Sequence, residues 1–215
     1  MAKCKMMKTG KSVPVTTLFL DIGGVVLSNG WGHESRRSAA DVFNLDFDEM
    51  DERHHVIQIT YEEGKITLND YLKRVVFYQK RSFTINQFRD FMFSQSTPNL
   101  EMIEYIRQLK DQYNLKIAVV NNEGRELNEH RIKKFKLNQF VDFFISSCFV
   151  HFRKPDADIF RIALDIAQVP VQHVVYIEDM KMFVDVARDL GIRSIQHKDY
   201  LSTSAELALM GLKNG

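Results

Sequence analysis

Hydrophobic residues in this chain follow two kinds of pattern, and the change from one to the other divides it. Five short apolar runs read as buried parallel strands, each bounded by turn or helix-start residues: Thr16–Asp21, Leu115–Asn121, Phe143–Ser147, His173–Glu178 and Arg193–Gln196. Between them, apolar positions recur at helical spacing. Thr97-Pro98 offers an N-cap with proline at the first helical position, and Leu100, Ile103, Ile106 and Leu109 carry that helix to near Tyr113. Further helices are predicted over 124–136, 156–168, 181–190 and 202–212, with Gly191 just past the end of the third of these. Strands alternating with helices from residue 98 onward predict an α/β fold with a doubly wound parallel sheet and right-handed crossovers.

Residues 30–95 break the alternation. They hold no convincing strand but several amphipathic segments. Asp46 with Glu49, Thr67 with Asp70, and Thr84 with Gln87 each have the spacing of a helix N-terminus and its capping partner. Three or four helices there predict a small all-α insertion directly after the first strand. Its connections are the linker-like pieces Ser28–Gly32 and Ser94–Thr97. The division read from the pattern is a tail over 1–13, an α/β core over 14–29 and 96–215, and a helical insertion over 30–95.

Composition narrows the setting. The chain has 215 residues and is 45% hydrophobic, as soluble globular proteins are. Lys+Arg 29 against Asp+Glu 28 gives no electrostatic footprint for nucleic acid or an anionic membrane, so neither is expected as a partner. Lys3, Lys5, Lys8 and Lys11 precede an apolar stretch, but Asp21 and Gly23-Gly24 interrupt it and no small-residue cleavage site follows. With only Cys4 and Cys148, a structural disulfide is not expected. The expected location is the cytoplasm, and the expected assembly a monomer or homodimer.

In an open α/β sheet, ligands bind beyond the carboxyl ends of the strands. Asp21-Ile22-Gly23-Gly24 follows the first strand and Asn121-Asn122-Glu123-Gly124 the second. Arg153-Lys154-Pro155-Asp156 comes a loop after the third, and Glu178-Asp179 follows the fourth. Each type has a task in phosphoryl transfer. An aspartate attacks phosphorus, and further carboxylates hold Mg²⁺. Glycines let backbone N–H groups face phosphoryl oxygens. An amide and a lysine offer donors and positive charge.

These segments resemble the four motifs of the haloacid dehalogenase-like (HAD) superfamily, in order, over roughly residues 15–200. Phe19-Leu20-Asp21-Ile22-Gly23-Gly24-Val25-Val26-Leu27 resembles the first, and Asn121-Asn122 lies where the second is expected. Lys154-Pro155 resembles the third. Glu178-Asp179, with Ala187 and Gly191 downstream, resembles the fourth. The insertion is similar to a C1 helical cap. Glu62-Glu63-Gly64-Lys65-Ile66-Thr67 is similar to a cap segment of the branch holding small sugar-phosphate phosphatases and 2-haloacid dehalogenases. The resemblance implies a Rossmann-like core and a Mg²⁺-dependent phosphatase acting on a small organic phosphate. It implies Asp21 as nucleophile and metal ligand. The Gly23 carbonyl and Asp179 would be further ligands, with Glu178 in support. Asn121, Asn122, Gly23, Gly24 and Lys154 would hold the phosphoryl group, and Lys154 would restrain the nucleophile's charge.

Two positions depart from the family pattern. Gly23 stands where most such phosphatases have a second aspartate acting as general acid and base, and Asn121 replaces a serine or threonine. General acid help typically contributes about 10²–10⁴-fold, so the first departure bears on rate. It also keeps two alternatives open: a metal-independent 2-haloacid dehalogenase, and a weakly active domain that binds a phosphorylated ligand or protein partner. His33, His54 and His55 have no zinc-like company and are expected as solvated histidines of the insertion. Phe77, Tyr78, Phe83, Phe88, Phe91 and Phe93 are expected in its core or at its junction with the sheet. Trp31 is expected at the entrance or packed at the hinge.

Overall fold

The computed structural model describes residues 13–214. The predicted tail over 1–13 and Cys4 therefore lie outside the described residues, apart from Val13. Five strands, β1 (Thr17–Leu20), β2 (Lys116–Asn121), β3 (Phe143–Ser146), β4 (Val174–Glu178) and β5 (Arg193–Gln196), form one parallel sheet in the order β3-β2-β1-β4-β5. The first strand is central, with Leu20 aligned to Val119 on one side and Ile177 on the other.

Alternation along each strand feeds two separate apolar layers. Leu18, Leu20, Ile117, Val119, Val175 and Ile177 join Ile106 and Leu109 of α5 (Leu100–Tyr113) and Leu207 of α10 (Tyr200–Leu209) on one face. Phe19, Ala118, Val120, Val174 and Tyr176 meet α8 (Ala157–Ala167) and α9 (Lys181–Asp189) on the other. Helices on both faces of a parallel sheet give the doubly wound α/β architecture that the alternation predicts. A further helix, α6 (Arg125–Lys134), follows β2, and the short α7 (Ser147–Val150) follows β3.

Between β1 and α5 lie α1 (His33–Phe43), α2 (Phe47–Glu62), α3 (Leu68–Val75) and α4 (Ile85–Ser94). Their N-termini follow the spacing in the sequence. Asp46 accepts from the Glu49 N–H at 3.0 Å and Thr67 from the Asp70 N–H at 3.1 Å. Thr84 and Gln87 make a reciprocal capping box. The first of these helices begins at Gly32 without a side-chain cap, so no local signal marks it. Met50, Tyr71, Leu72, Phe88 and Met92 form an apolar cluster distinct from those of the sheet, and Phe77, Phe83, Phe91 and Phe93 pack against it.

One helix start differs from expectation. The N-cap of α5 is Asn99, whose side chain accepts from the Met102 N–H, rather than Thr97. The Thr97 backbone is committed elsewhere: its carbonyl accepts from the Ser28 N–H at 2.9 Å and its N–H donates to Ser28 Oγ at 3.0 Å. The chain thus leaves and re-enters the sheet layer through one paired crossing. Two residues later than expected from this pairing, the helix begins. The last helix starts two residues earlier than expected because Asp199 caps it, accepting from the Ser202 N–H at 2.7 Å.

Candidate active site

The strand ends converge on a cavity of about 300 Å³. On the sheet side it is lined by Asp21, Asn121, Lys154 and Asp179, and on the helical side by Trp31, Arg36, His54 and Gln58. Asp21 follows β1 directly, Asn121 ends β2, Glu178 ends β4, and Lys154 arrives on the loop between α7 and α8.

Lys154 is the hub. Only 1% of it is exposed, and its Nζ donates to Asp21 Oδ1 at 2.9 Å, Glu178 Oε2 at 2.5 Å and Tyr176 OH at 3.0 Å. Tyr176 OH in turn donates to Glu178. Asn122 fixes the loop that delivers Lys154: its Oδ1 accepts from the Lys154 N–H and its Nδ2 donates to the Lys154 carbonyl, both at 2.8 Å. That amide is committed to backbone. Asn121 spends one N–H on Asn128 Oδ1 at 3.2 Å, while its own buried Oδ1 has no partner among the described residues.

The two glycines serve different geometries. Gly24 has φ +71°, and a Cβ there would lie 2.1 Å from Asp179 Oδ2, so only glycine leaves room for that carboxylate. Gly23 has no positive φ. A Cβ there would lie 2.9 Å from Asn29 Oδ1 and 3.7 Å from Asp21 Oδ2.

Asp21, Glu178 and Asp179 offer oxygens that all lie within 4.8 Å of one another. Burial lifts the Asp21 carboxyl to about 7, although Lys154 opposes the shift. Burial, together with a hydrogen bond and repulsion from Glu178, lifts Asp179 to about 6. Burial acts upward on Glu178 as well, but attraction to Lys154 and its hydrogen bonds hold that carboxyl below its ordinary value. Burial would lower Lys154, yet Asp21 and Glu178 raise it above the usual lysine range. Ionised together, the three carboxylates would outnumber the one ammonium by two charges, which burial disfavours, and Asp21 and Asp179 are accordingly the two whose carboxyls are raised. A hard divalent cation with oxygen ligands fits that donor set.

The opposite wall differs from expectation in one residue. His54 is not solvated: it is 6% exposed, because α2 turns it inward against Tyr71. Trp31 Nε1 donates to Tyr71 OH at 2.9 Å, and that hydroxyl shares a hydrogen bond with His54 Nδ1 at 2.7 Å. Burial pushes His54 down to about 3, so the ring is neutral. His33 and His55 lie at the surface, as expected. Trp31 lines the cavity and packs edge-on against Phe88 in the helical cluster.

Several site neighbours escaped the sequence reading. Tyr176 carried a signal, since two residues apart in a strand places it on the same face as Glu178. Arg131, 1% exposed, bonds both Glu123 and the Ser28 carbonyl from the middle of α6, and nothing local announces it. Arg153 reaches Glu62 across the cavity mouth at 2.8 Å, and Tyr61 seats its ring against Gly124, where a Cβ would lie 2.0 Å away. These contacts depend on tertiary placement.

A family model described as haloacid dehalogenase-like hydrolase matches residues 35–196. Among curated proteins, the chain is 26% identical over 129 residues to bifunctional epoxide hydrolase 2 of Sus scrofa, covering 59% of this chain and 23% of that protein. It therefore spans less than a quarter of the length of that relative. It is 25% identical over 133 residues to the phosphorylated carbohydrates phosphatase of Thermotoga maritima, covering 62% of this chain and 57% of that one. A HAD family enzyme from Bacteroides thetaiotaomicron, solved with magnesium and inorganic phosphate, superposes with TM-score 0.72 at 18% identity, covering 86% of this chain and 94% of that one. The L-2-haloacid dehalogenase of Xanthobacter autotrophicus superposes with TM-score 0.61 at 12% identity, covering 91% and 83%. At such identities the likeness is one of fold. The matched family model, spanning most of the chain and every strand after the first, establishes that this protein belongs to the haloacid dehalogenase-like hydrolases.

Proposed function

We propose that this hydrolase is a Mg²⁺-dependent phosphatase acting on a small organic phosphate such as a sugar phosphate, through an aspartyl-phosphate intermediate. The observation that carries the reading is the buried Lys154 bridging Asp21 and Glu178, with Asp179 beside them. Asp21, Asp179 and the Gly23 carbonyl would hold the metal, with Glu178 in support. When bound, Mg²⁺ neutralises charge so that an anionic carboxylate can approach an anionic phosphate.

In this reading Asp21 attacks phosphorus, and the bond to the leaving oxygen breaks. Lys154 and the second N–H of Asn121 hold phosphoryl oxygens, and the Gly23-Gly24 turn presents backbone N–H groups to them. Asn122 acts through Lys154, keeping its loop in place. Water then opens the acyl phosphate, releasing inorganic phosphate and regenerating Asp21. Residues 14–29 and 96–215 serve as the core, and 30–95 as a cap that closes the cavity and shields it from water. A cytoplasmic setting belongs to the same proposal, consistent with the buried free Cys148, whose thiol burial pushes up to about 12.

The names of the Thermotoga maritima phosphatase and the magnesium–phosphate complex of the Bacteroides thetaiotaomicron enzyme favour phosphate over halide. So does the acidic trio, which a metal-independent dehalogenase does not need. The test is phosphate release across sugar phosphates, nucleotides and phosphoglycolate. Turnover should require Mg²⁺ and disappear in Asp21→Asn. Activity surviving that substitution, or chloride release from 2-chloropropionate without Mg²⁺, would sink the reading.

A further inference from the structure

Breaking a phosphate ester sends an electron pair to the leaving oxygen, and a poor leaving group then needs a proton. No group lining the cavity is free to give one among the described residues. Position 23 has no side chain, and the space a side chain would take is filled by Asn29, whose Oδ1 lies 2.9 Å from where that Cβ would be. An amide there donates a hydrogen bond but transfers no proton.

Asp21, Glu178 and Asp179 belong to the proposed metal site, and the two remaining carboxyls that line the cavity are paired with guanidinium groups. Glu123 accepts from Arg131, which is itself buried and also holds the Ser28 carbonyl. Glu62 accepts from both Nε and Nη2 of Arg153, at 2.9 and 2.8 Å. Burial raises both carboxyls, Glu123 to about 7, but a proton on either would leave its guanidinium without a counter-charge. His54 is neutral, with Nδ1 taken by Tyr71. Tyr61 OH is buried without a partner among the described residues, and burial drives it well above the usual tyrosine range, which makes it a weaker acid still.

Resting on the phosphatase reading, we infer that Asn29 displaces acid catalysis from the site, so that the enzyme takes phosphate esters whose leaving oxygen is itself acidic: aryl, enol or anomeric phosphates rather than simple alkyl phosphates. Asp21 forms the new bond to phosphorus as the ester bond breaks. The alcohol departs as its anion and takes a proton from water. A second water attacks phosphorus, freeing inorganic phosphate, and gives up its proton to solvent, so that ester and water become alcohol and phosphate. Asn29 is a positioning residue here: its side chain occupies the space beside Gly23 and touches no reacting atom.

The test is kcat/KM with Mg²⁺ for a series of aryl and alkyl phosphates of graded leaving-group pKa. This ratio reports the first chemical step even where breakdown of the acyl phosphate limits kcat. The expected result is a steep fall, on the order of 10²–10⁴-fold from aryl to alkyl, the size of a missing general acid. The double variant Gly23→Asp/Asn29→Gly places a carboxyl beside Asp21 in vacated space. It should flatten the slope by raising the alkyl rates, while Gly23→Asp alone should melt at lower temperature from its clash with Asn29. A flat slope in the natural protein would overturn the inference and leave the phosphatase reading standing, with Glu62 or Glu123 as donor. Absence of hydrolysis of every ester would instead sink the phosphatase reading and this inference with it.

Discussion

At the strand ends, chemistry-bearing side chains arrive by topology: Asp21, Asn121 and Glu178 sit at the carboxyl ends of three adjacent strands, so backbone pairing alone brings them together. Across the cavity nothing comparable holds Trp31, Arg36 and His54. They converge because the helices pack one apolar face inward, and the polar residues on or beside that face are drawn in with it. The sheet side is a charged cluster built around one lysine. The helical side is a neutral relay in which tryptophan, tyrosine and histidine satisfy one another. The first arrangement concentrates charge, as the proposed phosphate and cation would require. The second makes a wall that adds no net charge, since Arg36 is answered by Asp51 at 2.7 Å.

The sharpest way to break this comparison is to remove the lysine. Lys154→Met strands two buried carboxylates at the meeting point of three strands. Catalysis should fall by at least the ~10²–10³-fold typical of losing one charge-stabilising donor. Stability measured by urea unfolding in chelator at pH 8 should fall by about 3–5 kcal/mol, the cost of unpairing a buried charge. That loss should shrink toward pH 5. Asp21 stands at about 7 even with Lys154 in place, well above its ordinary 3.8, so without the lysine it is protonated sooner. A carboxyl raised on folding stabilises below its unfolded pKa and loses that contribution as pH rises through the folded value. A pH-independent or negligible loss would mean that Lys154 is not the hub of the cluster.

The same contrast explains what the sequence made legible. Strand-end residues were readable because a parallel sheet has one functional end and each apolar run points to it. Helix starts at Asp46, Thr67 and Thr84 were readable because capping is local. Asn99 won over Thr97 because Thr97 pairs with Ser28, 69 positions away, which no local rule contains. His54 differs from expectation for a like reason: adjacent histidines on a helix point about 100° apart, and only the partner, Tyr71 on another helix, decides which is buried. Asn29 was overlooked because its meaning comes from an empty neighbour at Gly23.

On the helical side, His54 gives a prediction of opposite sign. Its folded value of about 3 lies below its ordinary 6.5, so the unfolded chain binds the proton more readily. The associated stability is present above pH 6.5 and is lost as pH falls toward 3. The loss is about 2–3 kcal/mol by pH 4.5 from this group alone. The charges facing it, Arg36, His55 and Asp51, are part of that balance. His54→Gln keeps an acceptor for Tyr71 but removes the titration. It should be slightly less stable than the natural protein at pH 8 and should overtake it near pH 4.5. Parallel pH profiles for the two proteins would show that His54 is not held neutral.

The smallest effect tests whether the two sides are separable at all. Thr84 caps α4 on the outer end of the helical unit, accepting from the Gln87 N–H at 3.2 Å while Gln87 Oε1 accepts from the Thr84 N–H at 2.8 Å. Neither residue lines the cavity. Thr84→Ala should cost about 1 kcal/mol of stability, the usual value of an N-cap. If the helices melt with the sheet as one unit, that loss appears as a single shifted transition by both near-UV and far-UV dichroism. If they open separately, amide hydrogen exchange in α1–α4 speeds up while β1, β2 and β4 keep their protection. The junction favours one transition: Gly64 packs against the Cys148 backbone, Ser147 Oγ donates to the Glu62 carbonyl at 2.6 Å, and Glu126 accepts from the Leu68 N–H at 2.8 Å. Faster exchange confined to the helices would show that these contacts fasten a lid that opens without unfolding the sheet beneath it.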